Sequence, residues 1–249
     1  MESFDRIRSL SDYISNLPEG SDREIYSSIL REHDDEISLL RMLEETSPSD
    51  QRYHLYRHVI FITFSRKKSC LRFGSHSLDI GVTFVGFPMS IPLCGYLYPK
   101  NQNRTSLPEI VRSFARTQKG TVVVLNAGTD LHKGHLTESV FVFAHDFKTF
   151  EEYISATRSS YHKKIIQSLK KGSGLTMRQI EPSEFSQEHY DLYLSVHERM
   201  KQRLITMPLE FFRKCPGVIV EIRDDRQLLA FVQMKEVSGV LYFILGGFR

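Results

Sequence analysis

The chain has 249 residues, of which 41% are hydrophobic and 25% are charged, and its formal net charge is +3. This charge is too close to balance to indicate a nucleic-acid-binding protein by itself, and the apolar content suffices for one large domain or two smaller ones. The three cysteines, Cys70, Cys94 and Cys215, are far apart without regular spacing, which argues against a disulfide framework or a zinc site. The first residues lack the apolar run of a secretion signal, so we expect a cytoplasmic protein.

The N-terminal segment, residues 1–50, is predicted to be helical. Two helices are expected at 3–17 and 21–46, separated by the turn residues 18–20. The second contains an acidic patch at 32–36, which is typical of a solvated surface. His33 stands beside these carboxylates, but the adjacent spacing does not put them on one helix face, so we predict no metal site there.

Residues 51–148 are predicted to form a first α/β unit. A helix is expected at 107–117, with Ser106 as its cap and Pro108 in its first turn, and a polar turn at 66–69. Strands are predicted at 59–64, 70–73, 78–85, 121–126 and 139–144. His132 and His135 lie three residues apart in the loop 127–138, but no third ligand stands near them.

The stretch 81–98 carries no charge and is nearly long enough to cross a bilayer. Its three glycines and two prolines favour buried strand and loop over a spanning helix. We therefore expect no membrane insertion. The stretch is either plain core or the wall of an apolar pocket, where glycine permits close backbone approach.

Residues 149–249 are predicted to form a second unit, which begins with an amphipathic basic helix at 150–172. Its apolar positions recur at a helical period, and no acidic residue lies between Ala156 and Gly172. The basic side chains are Arg158, Lys163, Lys164, Lys170 and Lys171. This face is either an ordinary solvated surface or a docking site for phosphates or carboxylates. Gly172 is predicted to cap the helix.

The rest of the second unit is predicted to be a strand, two helices and an antiparallel meander. The strand is expected at 175–180, the helices at 186–204 and 208–214, and the meander at 218–223, 227–236 and 240–245. Helices beside mostly antiparallel strands make the fold class α+β. Because the last strand ends almost at Arg249 and leaves an open edge, we expect the second unit to be incomplete at its C-terminus.

The pattern of the second half resembles the GNAT acyltransferase superfamily. The residues that carry the resemblance are 150–153, 161–164, 190–199, 204–212, 225–232 and 242–247. Within the superfamily they are most similar to the branch of the Fem-type peptidyltransferases and the BioF2-like acetyltransferases. The resemblance covers residues 140–249 well and 53–125 loosely, and it implies a GNAT-like mixed or antiparallel sheet flanked by helices, in two related units.

The resemblance implies transfer of an acyl group, acetyl or aminoacyl, from CoA or aminoacyl-tRNA to an amine. Acyl-CoA would be a co-substrate, tRNA a further partner, and the acceptor a small-molecule or nucleotide-linked amine, with no metal. The family binds the CoA pyrophosphate at a glycine-bearing strand-to-helix turn, where helix amides face the anion. The nearest match, 169–174, begins with Leu169 and follows a helix, so we interpret it as a cap, and the cofactor-binding residues stay unknown.

Acyl transfer to an amine requires a base for the acceptor and stabilisation of the reacting carbonyl. Glu198 and Glu210 are the predicted bases, although a helix-surface ion pair and a favourable first-turn charge explain them equally. Arg199 and Arg203 beside them, and the basic side chains of 150–172, are predicted to bind substrate. Tyr161 is either core or a substrate contact. No Ser-His-Asp or Cys-His arrangement has supporting sequence spacing.

Two other functions are compatible with the same residues. The basic helix over 156–171 could make the chain a nucleic-acid-binding module, but the balanced net charge and the lack of stacking aromatics on the basic face count against this. A catalytically inactive structural relative would keep the fold and lose the chemistry.

Overall fold

A short strand and three helices form the N-terminal segment: β1 (Glu2–Phe4), α1 (Ile7–Ser15), α2 (Ser21–Glu32) and α3 (Asp34–Thr46). The computed structural model describes residues 1–47, 49–73, 76–89, 91–100, 104–127, 146–200 and 205–249, and their side chains except those of 68–73 and 76–80. The predicted helix 3–17 starts later than expected because residues 2–4 pair with the first sheet.

The predicted helix 21–46 is in fact two helices, because the backbone leaves the helical region at His33 (φ −118°, ψ 35°). The imidazole is fixed on both sides there. Its Nδ1 lies 3.2 Å from Oε1 of Glu36, and its Nε2 lies 2.9 Å from the carbonyl oxygen of Tyr98. Glu36 is buried, so the prediction that the whole acidic patch is solvated was wrong at this residue. Glu36 instead contacts the His33 ring and accepts a hydrogen bond from the hydroxyl of Ser238 at 3.4 Å.

The first sheet is mixed. It contains β2 (Asp50–Tyr56), β3 (Val59–Phe73), β4 (His76–Val85), β5 (Tyr96–Leu97) and β6 (Thr121–Val124). The order is β1-β2-β3-β4-β6, with β5 beside β3. All strand pairs are antiparallel except β4 and β6, which are parallel. The helix α4 (Leu107–Thr117) lies between these two strands in the chain. The predicted turn at 66–69 was wrong: these residues continue β3, because each pairs with β4, from Arg66 opposite Val82 to Ser69 opposite Asp79.

The second half begins with two helices where one was predicted, α5 (Phe150–Ala156) and α6 (Ser159–Lys171). Thr157 and Arg158 between them are both extended, with ψ near 150°. Thr157 leaves the helix because its hydroxyl donates to the carbonyl of Ile154, a local bond that competes with helix continuation. Gly172 caps α6 as predicted, its amide donating to the carbonyl of Ser168, but with φ −87° rather than in the left-handed region.

The second sheet is antiparallel throughout. It contains β7 (Thr176–Ile180), β8 (Val218–Arg223), β9 (Leu228–Val237) and β10 (Val240–Phe248), in the order β10-β9-β8-β7. The helices α7 (Gln187–Arg199) and α8 (Leu209–Lys214) lie between β7 and β8 in the chain. The predicted strand, helices and meander are therefore present, although α7 ends at Arg199. The predicted fold class, α+β with a mixed or antiparallel sheet flanked by helices, is confirmed.

The main hydrophobic core is continuous across the three predicted segments. Side chains of the N-terminal helices, such as Leu40, share it with Ile62 of the first sheet and with Phe212 and Ile219 of the second half. The uncharged stretch 81–98 contributes Phe87 and Met89 to it, as plain core would. The domain boundaries near residues 50 and 148 stay a prediction. The predicted strand 139–144 and the histidines His132 and His135 lie outside the described residues.

A smaller core lies beneath α4, where the rings of Phe61 and Phe114 stack with centroids 3.9 Å apart. None of the helices in the described ranges is both long and apolar enough to cross a bilayer.

Gly247 sets how closely α7 approaches β10. A Cβ atom at this position would lie 2.7 Å from the backbone carbon of Leu192 and 2.7 Å from the backbone nitrogen of Tyr193. We predict that Gly247→Ala lowers the free energy of unfolding by about 2 kcal/mol, because α7 must move away from the sheet. Urea denaturation measures this. Gly174→Ala is the matched control, since a Cβ there meets nothing within 4 Å, and an equal loss in both variants would contradict the prediction.

The contact between His33 and Glu36 predicts a pH-dependent stability. Burial alone would lower the pKa of His33, but its hydrogen bonds to Glu36 and to the Tyr98 carbonyl outweigh burial and raise the pKa above 6.5. A raised folded-state pKa stabilises the fold fully below pH 6.5, and this stability is lost as the pH rises through the folded value. His33→Gln should therefore be more destabilising at about pH 6 than at about pH 8.5.

The exposed pair of His58 and Asp22 supplies the control, because His58→Gln disrupts a contact that solvent screens. Urea denaturation at both pH values compares the two variants. A destabilisation by His33→Gln that does not change with pH would count against the assignment.

Candidate functional site

The helix α6 is solvent-exposed along its whole length, and none of its 13 residues is buried. Its apolar side chains Tyr161, Ile165, Ile166 and Leu169 fall on one side of the helix, within an arc of about 140° at about 100° per residue that also contains His162. Tyr161 is 58% exposed and Leu169 is 51% exposed. The interpretation of Tyr161 as a core residue was therefore wrong, because more than half of its side chain is accessible to solvent.

The predicted basic residues lie on the rest of the α6 surface. Arg158, Lys163, Lys164, Lys170 and Lys171 are all exposed. None of the five forms an ion pair with a described residue. The ammonium of Lys164 lies 5.8 Å from the ring centroid of Tyr161, as in a cation–π contact. The structure brings these side chains together on one helix with no compensating acid, which leaves them available for an anionic ligand.

The predicted bases lie elsewhere. Glu198 is exposed at the C-terminal end of α7, and Glu210 is exposed in the first turn of α8. Oε1 of Glu210 lies 3.3 Å from the guanidinium of Arg213 three residues later, and its place in the first turn is the one that the alternative interpretation, a favourable charge at the helix start, assigned to it. Arg199 donates to the carbonyl oxygen of Phe248 at 3.2 Å, and its guanidinium lies over the Phe248 ring. Arg203 lies outside the described residues.

A buried polar network that was not predicted from the sequence lies where α7 meets the second sheet. Oε2 of Glu221 lies 2.9 Å from Nε2 of His189, and Nδ1 of His189 lies 2.8 Å from the hydroxyl of Ser186. Glu221 is 1% exposed. A chain of serine, histidine and carboxylate therefore exists, although no sequence spacing indicated one. It forms because the cap of α7 places Ser186 and His189 above β8, which carries Glu221.

The charge of Glu221 is neutralised by two arginines. Arg178 stands opposite it on β7 and donates to its carboxylate at 2.9 Å, and Arg223 approaches to 3.1 Å. Burial alone would raise the pKa of Glu221, but hydrogen bonds from Arg223, Arg178 and His189 hold it below the usual range. Arg223 also pairs with Glu188, so the charges continue to the start of α7.

The hydrogen bonds define the proton positions on His189. Its Nδ1 accepts the backbone amide of Ser186, so Nε2 carries the hydrogen that bonds Glu221. Burial lowers the pKa of His189, and the bond to Glu221 offsets this only in part. The Ser186 hydroxyl in turn accepts the backbone amide of His189 as the helix cap. The arrangement as it stands anchors α7 to the sheet.

Two signals in the sequence point to this network. Glu221 lies between Ile219 and Arg223 at the period of two that puts all three on one face of a strand, so an acid interrupts a core-facing position. Ser186 and His189 have the three-residue spacing of a capping box. Neither signal reveals that the two meet, because the contact depends on how α7 crosses the sheet.

No group of three or more histidine, cysteine, aspartate or glutamate side chains within the described ranges is arranged to hold a metal ion.

Comparison with known proteins gives one structural similarity to report. No protein-family model and no curated protein sequence matches the chain. Among solved structures, it is similar to the C-terminal domain of a protein described as a lysylphosphatidylglycerol synthetase from Agrobacterium fabrum, with 13% sequence identity and a TM-score of 0.45. The match covers 92% of this chain and 68% of the other. The similarity is too low for the activity of that protein to be transferred to this chain.

The network predicts a large difference between two glutamate substitutions. Glu221→Gln removes the charge that Arg178, His189 and Arg223 share and leaves buried donors without their anion, so we expect a loss of about 3 kcal/mol in the free energy of unfolding at neutral pH. Glu210→Gln, which affects an exposed pair, should change it by less than about 1 kcal/mol. Urea denaturation measures both, and similar losses would contradict the assignment.

The same pair of variants has a pH signature. A depressed folded-state pKa stabilises the fold above the unfolded value of 4.5, and this stability is lost as the pH falls through the folded value. The deficit of Glu221→Gln should therefore shrink below pH 4.5.

Proposed function

We propose that the chain is an acyltransferase domain that moves an acyl or aminoacyl group from CoA or aminoacyl-tRNA to an amine. The observation that carries the proposal is the order of elements after Phe150: a basic helix, a strand, two helices and three antiparallel strands. This is the pattern on which the resemblance to the GNAT superfamily rests. Because both donors occur in the cytoplasm, the proposal includes that compartment.

The basic surface of α6 supports a donor that carries phosphates. CoA has a pyrophosphate and a ribose phosphate, and tRNA has a phosphodiester backbone. Exposed lysine and arginine side chains bind such groups as point charges and as planar hydrogen-bond donors. In this proposal Arg158, Lys163, Lys164, Lys170 and Lys171 contact donor phosphates, and Tyr161 packs beside them against the donor.

The chemistry requires a base at the acceptor amine. Glu198 or Glu210 would take a proton from the amine, whose nitrogen then attacks the carbonyl carbon of the thioester or ester. The new C–N bond forms as the C–S or C–O bond breaks, and the leaving thiolate or alkoxide is protonated. Arg199 and Arg203 would bind the acceptor or the developing charge on the carbonyl oxygen, since they follow the proposed base Glu198 within five residues in the sequence.

A binding experiment tests the donor surface. Isothermal titration of the full chain with acetyl-CoA and with deacylated tRNA should detect at least one of the two ligands. Exchanging Lys163 and Lys164 together for glutamate should weaken that binding about tenfold or more, because it reverses two charges at the ligand phosphates. Lys119→Glu, a charge reversal at an exposed lysine after α4, is the matched control. Equal weakening by both changes would overturn the assignment of α6.

A transfer experiment tests the chemistry. Mass spectrometry of an amine panel incubated with each donor should reveal an acylated product, and changing the true base to glutamine should lower the rate about 100-fold without weakening donor binding. Full rates in both Glu198→Gln and Glu210→Gln would exclude these residues as the base. Donor binding without transfer to any amine would identify an inactive relative.

A further inference from the structure

Several large apolar side chains on α6 and close to it in sequence are exposed. Among the described residues, 12 large hydrophobic side chains are exposed, and five of them lie between positions 150 and 177. These are Phe150, Tyr161, Leu169, Leu175 and Met177. Met177 is 73% exposed. Exposed apolar side chains of this kind are typical of a surface that binds a partner.

The cations of α6 border this apolar arc on both sides. At about 100° per residue, Lys170 follows about 40° beyond Ile166, and Lys164 lies about 60° before Tyr161. Lys163 lies about 60° beyond Ile166 and Lys171 about 80° before Tyr161, so two lysines flank each edge of the arc. A helix with an apolar arc between two rows of lysines can lie flat at a boundary between an apolar and an aqueous phase, since the lysine stems reach back to the polar side.

The extent of the charge favours a surface over a single small ligand. The 13 residues of α6 span about 20 Å, and cations occur from Arg158 before its first turn to Lys171 at its end. A pyrophosphate would engage two or three of them. An array of phosphates at the spacing of lipid headgroups can engage all five, and a row of anions is what the acid-free stretch 156–172 complements.

The apolar arc favours a lipid surface over nucleic acid as the partner of α6. A phosphodiester backbone offers no apolar contact to Ile165, Ile166 and Leu169. Proteins that bind single-stranded nucleic acid stack bases on several aromatic side chains, whereas Tyr161 is the one tyrosine, phenylalanine or tryptophan of α6. Aliphatic side chains do gain free energy when they enter the acyl boundary of a bilayer.

We propose that α6 docks the protein on a bilayer that contains anionic phospholipids, with Tyr161, Ile165 and Leu169 at the acyl boundary and the lysines among the phosphates. The inference does not depend on acyl transfer. The donor would contact the basic side chains and Tyr161, whereas docking also requires Ile165 and Leu169, so substitutions at these two positions separate the two proposals.

A tryptophan probe tests the docking directly, because the chain contains no tryptophan. Tyr161→Trp creates a single fluorophore in the arc. Its emission should shift to the blue with vesicles of phosphatidylcholine and phosphatidylserine, and stay unchanged with phosphatidylcholine alone. Phe243→Trp places the same fluorophore at another exposed position, on β10, and should give no shift. An unshifted Tyr161→Trp spectrum in folded protein at low salt would overturn the proposal.

Vesicle flotation separates charge from apolar contact. Changing Ile165 and Leu169 together to serine should lower the bound fraction about tenfold, as should exchanging Lys163 and Lys164 for glutamate, whereas changing Leu241 and Phe243 to serine should leave it unchanged. Circular dichroism checks that each variant is folded. Binding to RNA with no binding to anionic vesicles would assign the surface to nucleic acid and overturn the proposal.

The serine pair also separates the two proposals. Vesicle binding lost in the Ile165 and Leu169 variant, with transfer to a soluble amine retained, would support docking independently of catalysis. Vesicle binding unchanged in that variant would overturn the role of the apolar arc.

Discussion

The second half of the molecule depends on neutralising one buried negative charge. Glu221 lies in the middle of β8 with almost no solvent access, and a lone carboxylate in such a place would be very unfavourable. The side chains that bond Glu221 come from three elements: Arg178 from β7, His189 from α7 and Arg223 from β8 itself. Satisfying this charge therefore fixes the register of β7 against β8 and the position of the start of α7.

Once α7 is anchored at one end, glycine determines the rest of its path. The helix backbone contacts β10 at Gly247, where any side chain would collide with Leu192 and Tyr193. Arg199 at the far end of α7 bonds the carbonyl of Phe248, so both ends of the helix are tied to the sheet. The exposed end of α7 that carries Glu198 is thus held in place by a buried charge, a glycine contact and a terminal arginine.

The N-terminal helices connect the two sheets rather than standing apart. The break at His33 lets its ring bond both Glu36 and the Tyr98 carbonyl, and Ser238 in the hairpin between β9 and β10 reaches Asp35 and Glu36 from the other side. The helix α6 contrasts with this. None of its residues is buried, so its apolar side chains and its cations contribute little to the core that joins the described elements.

The local pattern of residues determined the element types. The helix at 107–117, the meander after residue 218 and the excess of basic charge after Ala156 each follow from periodicity, turn residues or composition within a few neighbouring residues, and they were predicted. Boundaries that depend on residues distant in sequence were not predicted. The strand β3 continues through 66–69 because β4 pairs with it, and the helix predicted at 21–46 breaks at His33, whose ring bonds the Tyr98 carbonyl. The tertiary structure alone decided which helix face is buried, since Tyr161 has the spacing of a core residue and yet is 58% exposed. It alone also joined Ser186, His189 and Glu221, because residues 32 positions apart in sequence meet only when α7 crosses the sheet.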